Sequence, residues 1–172
     1  MTGYVMLCAE CGIEVPSRYR LPLCRRCNGL LDIKMNLSGL GSEWRTSSKG
    51  VWKYIALLPI PPDLTPVTLG EGDTPILRTP RLQEGLGIEE LYVKFDGANP
   101  TGSFKDRGMT VVVTHALEIG EEILACASTG NTSASLSAYA ARAGLRTIIF
   151  IPSNQVALGK LSQAAAMGAE IV

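Results

Sequence analysis

The stretch EILACASTGNTSASLSAYAARAGLRTIIFI, residues 122–151, decides the fold. It opens with an apolar run from Glu122 to Ala127 and passes through Ser128-Thr129-Gly130. It continues as the alanine-rich segment Asn131 to Ala143 and closes with a second apolar run from Arg146 to Ile151. Short apolar runs bounded by turn residues suit buried strands, and the segment between them has helix length and helix composition. A strand, a helix and a strand in this order imply a crossover, which makes the strands parallel neighbours in a sheet with helices on its faces. Working outward, the pattern predicts a strand over Glu90 to Phe95 and a helix from about Ser103 to Ile119 on one side. On the other it predicts a helix from about Val156 to Met167 and an apolar fragment, Glu170 to Val172. The fold class is therefore α/β with a doubly wound parallel sheet. The last fragment reads as the start of a strand without a cap or polar tail, so a truncated or split protein, incomplete at the C-terminus, is the expectation.

Composition supports an ordered body: of 172 residues, 46% are apolar and 19% charged, enough to bury a core. Sixteen Lys plus Arg balance sixteen Asp plus Glu. No net field draws the chain to nucleic acid or an anionic membrane, which leaves small molecules as the expected partners. No basic segment followed by an apolar one opens the chain, and no apolar run approaches the ~20 residues that span a bilayer. A cytoplasmic location is expected. Three regions follow. Residues 1–31 carry paired cysteines and little apolar periodicity. Residues 32–68 form a connector with Gly39, Gly41 and Gly50, then the cluster Pro59, Pro61, Pro62 and Pro66, with Trp44, Trp52 and Tyr54 as apolar anchors that would hold it against a folded body. Residues 69–172 form the α/β body.

Cys8 and Cys11 are separated by two residues, as are Cys24 and Cys27, with twelve residues between the pairs. Each Cys-x-x-Cys turns both thiolates toward one point, and two such turns complete a tetrahedral zinc site with Zn–S near ~2.3 Å. Four cysteines leave no open position, so the ion is structural and supplies folding free energy to a module too small to hold itself by burial. Two disulfides or a redox pair would use the same residues, but the paired spacing and the absence of a secretion signal favour zinc. Cys126 falls in a buried strand and reads as a small core residue. His115 reads as a surface or packing residue of its helix.

Asn99-Pro100-Thr101-Gly102-Ser103-Phe104-Lys105-Asp106-Arg107-Gly108 precedes the first long helix. Pro100 and Gly102 impose a tight turn, Ser103 suits an N-cap, and Lys105 falls in the first turn, where unpaired amides and the helix dipole disfavour its protonated form. A lysine there is either a neutral nucleophile or a solvent-facing charge offset by Asp106, and the residues alone support both. Ser128-Thr129-Gly130-Asn131-Thr132-Ser133 also lies where a strand meets a helix. It is either a plain cap and turn or an anion site built of amides and hydroxyls. Both loops would emerge at the carboxyl edge of the sheet, where ligands sit in such folds.

The run Asn99 to Gly108 resembles the lysine segment of fold-type II pyridoxal-phosphate enzymes, and its Ser103-Phe104-Lys105-Asp106-Arg107-Gly108 form is similar to the threonine synthases. Gly70-Glu71-Gly72-Asp73-Thr74-Pro75 resembles the segment that opens their catalytic body, and Ser128 to Ser133 resembles their substrate-carboxylate loop. The resemblance implies pyridoxal 5'-phosphate as cofactor, carried by Lys105, which also moves substrate protons. It implies Asn131 against the ring oxygen, and Ser128, Thr129 and Thr132 on the substrate. Asn154 and Lys160 match a stretch near the substrate's phosphate. The activity implied is conversion of O-phospho-L-homoserine and water to L-threonine and phosphate by a homodimer. Members are about twice this length, and their phosphate cradle for the cofactor comes later than residue 172. A chain of these residues alone is expected to bind the cofactor weakly and to be inactive without the missing half, in cis or as a second polypeptide. Rival readings are another lyase of the same fold type, such as a threonine dehydratase or a cysteine or cystathionine synthase, and a zinc-ribbon binding module on a degenerate scaffold.

Overall fold

The computed structural model describes residues 4–16, 18–41, 46–61, 63–152 and 158–172. The chain divides into two compact units, one of Met1–Ser48 with Trp52–Leu64, the other of Lys49–Val51 with Thr65–Val172.

The first unit is built on a three-stranded antiparallel sheet in the order β2-β1-β3, formed by β1 (Tyr4–Cys8), β2 (Glu14–Val15) and β3 (Leu31–Met35). Cys8 faces Leu31 at one end of the β1–β3 ladder and Tyr4 faces Met35 at the other. Among the described residues most of its side chains are exposed, and Cys8 and Cys24 are the buried residues of its cysteine-bearing part. In the connector Trp52 is 5% exposed and Ile60 is 1% exposed. Trp44 lies outside the described residues. Gly50–Leu57 takes tight 3-10 turns broken at Tyr54. The proline cluster begins only after it, where the fixed proline φ no longer competes with helical turns.

In the second unit a parallel sheet runs β6 (Ile123–Ala127), β7 (Arg146–Phe150), β8 (Glu170–Ile171) in that spatial order, with α3 (Asn131–Ala143) and α4 (Leu158–Ala166) as the two crossovers. These elements lie within two residues of the ends expected from the sequence wherever both ends are described. Gly144 in the left-handed conformation stops α3, as a glycine after the last helical turn should. Helix α2 (Lys105–Glu118) packs on α3.

Two expectations are corrected. The strand expected over Glu90 to Phe95 is only Tyr92–Lys94 (β5), and it does not join the parallel sheet. It pairs antiparallel with β4 (Ile76–Arg78), with Ile76 opposite Lys94. The intervening residues include a short helix, α1 (Pro80–Leu86), which brings the chain back rather than across. That helix went unread, although Pro80 at its start and Gly87 just past its end mark it.

Helix α3 is the centre of the unit. Ser133 to Ala140 are all buried, and its contacts reach α2, α4, β6 and β7. Leu136, Ala138 and Tyr139 form one core with Val67, Val113, Ile149 and Ala164. Its serines remain inside because each finds an acceptor: Ser133 Oγ donates to the Gly130 carbonyl at 2.8 Å and Ser137 Oγ to the Ser133 carbonyl at 2.7 Å. The Tyr139 hydroxyl donates to Glu71 Oε2 at 2.7 Å. Burial pushes the Glu71 pKa up, but the Tyr139 hydroxyl and the Leu69 amide outweigh it and leave the carboxyl below its ordinary range. Gly72 has φ +93°, and a Cβ there would stand 2.7 Å from the Val51 nitrogen, so the Gly70 to Pro75 segment packs backbone to backbone on residues 49–51.

Candidate functional site

The two Cys-x-x-Cys turns close by the same bonds. Cys8 N–H donates to the Ile13 carbonyl and Gly12 N–H to the Cys8 carbonyl, while Cys24 N–H donates to the Gly29 carbonyl and Asn28 N–H to the Cys24 carbonyl, all at 2.9 Å. Gly12 and Asn28 both take positive φ, +67° and +58°, the conformation that turns the chain away after the second cysteine of each pair. All four sulfurs lie within 4.8 Å of one another, with Cys8 and Cys27 at 3.4 Å and Cys11 and Cys24 at 3.8 Å. Amides of Cys11 and Arg26 point at the Cys8 and Cys24 sulfurs. The Cys8 thiol is pulled down to about 6, first by the Cys11 amide. The Gly29 amide pulls Cys27 down too, but the neighbouring sulfurs of Cys8 and Cys11 and burial push it up to about 12. Adjacent thiolates repel unless a cation is shared among them, and this donor set could hold one metal ion with no position left open.

In the second unit the lysine loop is a hydrogen-bonded turn, Gly102 N–H to the Asn99 carbonyl at 2.8 Å, with Pro100 at its first corner. Phe104, not Ser103, stands immediately before α2. Ser103 still serves the helix start, because its Oγ accepts the Lys105 amide at 3.2 Å. Lys105 is the first residue of α2 and is half-buried. Its Nζ lies over the Phe104 ring, 4.8 Å from the centroid, and makes no hydrogen bond or ion pair among the described residues. Asp106 does not offset it. That carboxylate is 0% exposed and accepts from the Thr101 amide at 2.7 Å, the Thr101 hydroxyl at 2.5 Å and the Ser135 hydroxyl at 2.6 Å.

Two sequence motifs read separately are locked together here. Arg107 reaches Asp96 through Nη2 at 2.8 Å and Nε at 3.2 Å, and Nη2 also donates to Thr74 Oγ1 at 3.0 Å. Thr74 Oγ1 in turn donates to Asp96 at 2.7 Å. Asn99 accepts the Gly72 amide at 3.0 Å. The segment 70–75 is thereby tied to the lysine loop. Sequence reasoning gave Asp96, Asn99 and Arg107 no role and read Asp106 only as an offset to Lys105. Only the presence of polar and ionic residues in a glycine-punctuated loop hinted at them.

At the carboxyl ends of β6 and β7 a cleft of about 450 Å³ is lined by Ala127, Ser128, Thr129, Phe150, Ile151 and Pro152. Gly130, φ −126° and ψ −144°, leads into α3 without a side-chain cap. Among the described residues the amides of Asn131, Thr132 and Ser133 reach no acceptor, and the Asn131 and Thr132 side chains make no hydrogen bond. Ser128 Oγ accepts the Gly130 amide at 3.2 Å. Unspent donors at a helix start, beside a cleft, suit an anion. Lys160, expected near a substrate anion, places Nζ 2.9 Å from the Thr101 carbonyl, against the lysine loop. Asn154 lies outside the described residues. His115 pairs with Glu118 at 3.3 Å, and Cys126 packs against the core, where burial pushes its thiol up, both as packing residues do.

Arg107, through its hydrogen bonds, holds the Asp96 carboxyl down to about 2 from its ordinary 3.8, with Thr74 next in effect. A depressed carboxyl pKa contributes stability that is complete above the ordinary value and lost as pH falls through the lowered one. Asp96→Asn is therefore expected to destabilise the chain by about 1 kcal/mol or less near neutrality, as for a solvent-washed pair. The gap should close toward about pH 2. Urea midpoints across that acid range check this, and a pH-independent gap would contradict it.

Residues 67–172 match the model of the family "Pyridoxal-phosphate dependent enzyme". The chain is 48% identical over 172 residues to "Threonine synthase" of Methanosarcina acetivorans, covering 98% of this chain and 42% of that protein. It is 48% identical over 170 residues to "Threonine synthase" of Methanocaldococcus jannaschii, covering 96% and 42%. It thus spans 42% of the length of each of these curated relatives. A crystal structure of a pyridoxal 5'-phosphate-dependent aspartate racemase superposes with a TM-score of 0.54 at 28% identity, over 58% of this chain and 32% of that one. O-ureido-L-serine synthase gives 0.51 at 28%, over the same shares. No helix among the described residues is long and apolar enough to cross a membrane. With its lysine loop and its donor-lined cleft both inside the matched region, the chain belongs to the family of pyridoxal-phosphate dependent enzymes.

Proposed function

We propose that this chain carries the lysine-bearing part of a threonine synthase, which converts O-phospho-L-homoserine and water to L-threonine and phosphate. The observation that carries the reading is Lys105: a lysine at a helix start with no hydrogen-bonding or ionic partner among the described residues, in the same α/β unit as unspent donors beside a cleft. When bound, pyridoxal phosphate supplies an aldehyde that a neutral amine captures and a ring that withdraws electrons from the substrate. Lys105 would hold that aldehyde until the substrate's own amine takes its place, and the freed Lys105 amine would then move protons at the substrate's carbons, while phosphate leaves Cγ and water adds at Cβ. The Asn131 side-chain amide donates to the ring oxygen. Ser128, Thr129 and Thr132, with the amides at the start of α3, hold the substrate carboxylate. Lys160, with one N–H on Thr101, has two more for the substrate's phosphate, and the resemblance assigns Asn154 to the same group. The cofactor's phosphate is held by residues later than position 172, in cis or on a second polypeptide, and the complete enzyme is a homodimer.

Borohydride reduction of the chain with pyridoxal phosphate, followed by peptide mapping, is expected to label Lys105 ahead of the other lysines. Uniform labelling would sink the assignment and favour a binding module on a degenerate scaffold. The chain by itself is expected to turn over nothing detectable. Supplying the remaining segment is expected to give phosphate and threonine from O-phospho-L-homoserine. Release of 2-oxobutanoate from threonine, with no reaction of phosphohomoserine, would assign a threonine dehydratase instead, and a cysteine or cystathionine synthase would require a thiol substrate.

For the four cysteines we infer a structural zinc ion. A tetrahedron with Zn–S near ~2.3 Å has edges of about 3.8 Å, against sulfur separations of 3.4 and 3.8 Å within a cluster no wider than 4.8 Å. One zinc per chain is expected by elemental analysis. Its binding contributes on the order of 10 kcal/mol to folding of the module, so chelation at neutral pH should erase amide protection across β1 to β3. Protection that survives complete metal removal would refute a metal-dependent fold.

A further inference from the structure

We propose that Asp106 is a positioning residue whose buried carboxylate fixes the spacing between the Lys105 loop and the first turns of α3. The proposal rests on the reading of Lys105 as the lysine that holds the cofactor, and deepens it.

A fully buried carboxylate is costly unless its charge is compensated. Among the described residues no lysine, arginine or histidine forms an ion pair with Asp106. What surrounds it is three donors, the Thr101 amide, the Thr101 hydroxyl and the Ser135 hydroxyl, together with the positive end of the α2 dipole. Those donors come from two places. Thr101 belongs to the Asn99 to Gly102 turn that delivers the chain to Lys105. Ser135 lies on α3 one helical turn beyond Asn131, which opens that helix. The carboxylate is covalently adjacent to Lys105 and so ties its approach loop to the helix that carries the candidate ring and carboxylate contacts. Lys160 closes the same turn from the other side, on the Thr101 carbonyl. Thr101 therefore has amide, hydroxyl and carbonyl all fixed, two of them by Asp106. An apolar residue at position 106 would fill the space at lower electrostatic cost but would bind neither Thr101 nor Ser135.

The test compares the unmodified chain with Ser135→Ala, Asp106→Asn and Asp106→Ala, each incubated with pyridoxal phosphate and reduced with borohydride over a time course. Labelling of Lys105 is measured relative to the exposed Lys34 and Lys49, at matched folded fraction by circular dichroism. Ser135→Ala removes only the link to α3 and introduces a strong helix former, so it folds even where Asp106→Ala does not. Lys105 labelling is expected to fall about tenfold or more in Asp106→Asn and several-fold in Ser135→Ala, with Lys34 and Lys49 unchanged. A general loss of structure would move all lysines together. Lys105 labelling within about twofold of the unmodified chain in both Ser135→Ala and Asp106→Asn would overturn the positioning role while leaving the lysine assignment intact. Failure of the unmodified chain to label at Lys105 would remove the assignment and this proposal together.

Discussion

A helix buried on all sides has to be narrow, and α3 is narrow because Ser133 to Ala140 are mostly alanine and serine. That constraint organises the second unit. Small side chains let α2, α4, β6 and β7 all approach α3, and Leu136 and Tyr139 supply the bulk that the shared core needs. Serine is admitted because its hydroxyl can return to a carbonyl of its own helix or reach one buried carboxylate. Among the described residues the same helix leaves its first amides without acceptors, just after the Ser128 and Thr129 that line the cleft, so one element both fills the core and ends in unspent donors.

Charge inside this unit follows a consistent rule. Glu71 and Asp106 are buried carboxyls that accept from hydroxyls and amides. Asp96, at the surface, takes the guanidinium of Arg107 in a two-pronged contact. The neutral donors are held on backbone, on short side chains or on the stiff, buried ring of Tyr139, so they fix position without long flexible partners. The arrangement couples the Gly70 to Pro75 segment, the lysine loop and α3 through contacts between residues far apart in sequence.

The strand, helix and strand from Ile123 to Phe150 were legible because apolar runs and a terminal glycine mark their ends locally. The β4–β5 pair was not, since three-residue strands exposed along their length carry no alternation to read. Glycine punctuation placed Lys105 and Asn131 at helix starts, and only the family resemblance proposed roles for them. Asp106 could not be placed, because a charged residue beside a lysine reads as its surface partner, and one of the donors it accepts from is Ser135, 29 residues away. The reach of Lys160 to Thr101, across 59 residues, was likewise invisible without the fold. The cysteine spacing was legible at once, because it reports two local turns.

Those two turns carry a consequence for how the module tolerates change. Each closes through its own backbone bonds, with Gly12 and Asn28 in equivalent left-handed positions. The stretch joining them supplies no sulfur, but Tyr19 within it braces the second turn, its hydroxyl donating to the Leu23 carbonyl at 3.0 Å and accepting the Arg25 amide at 2.9 Å. Residues inserted between β2 and Tyr19 therefore cost only the modest entropy of a longer closed loop, while each cysteine pair keeps its own turn.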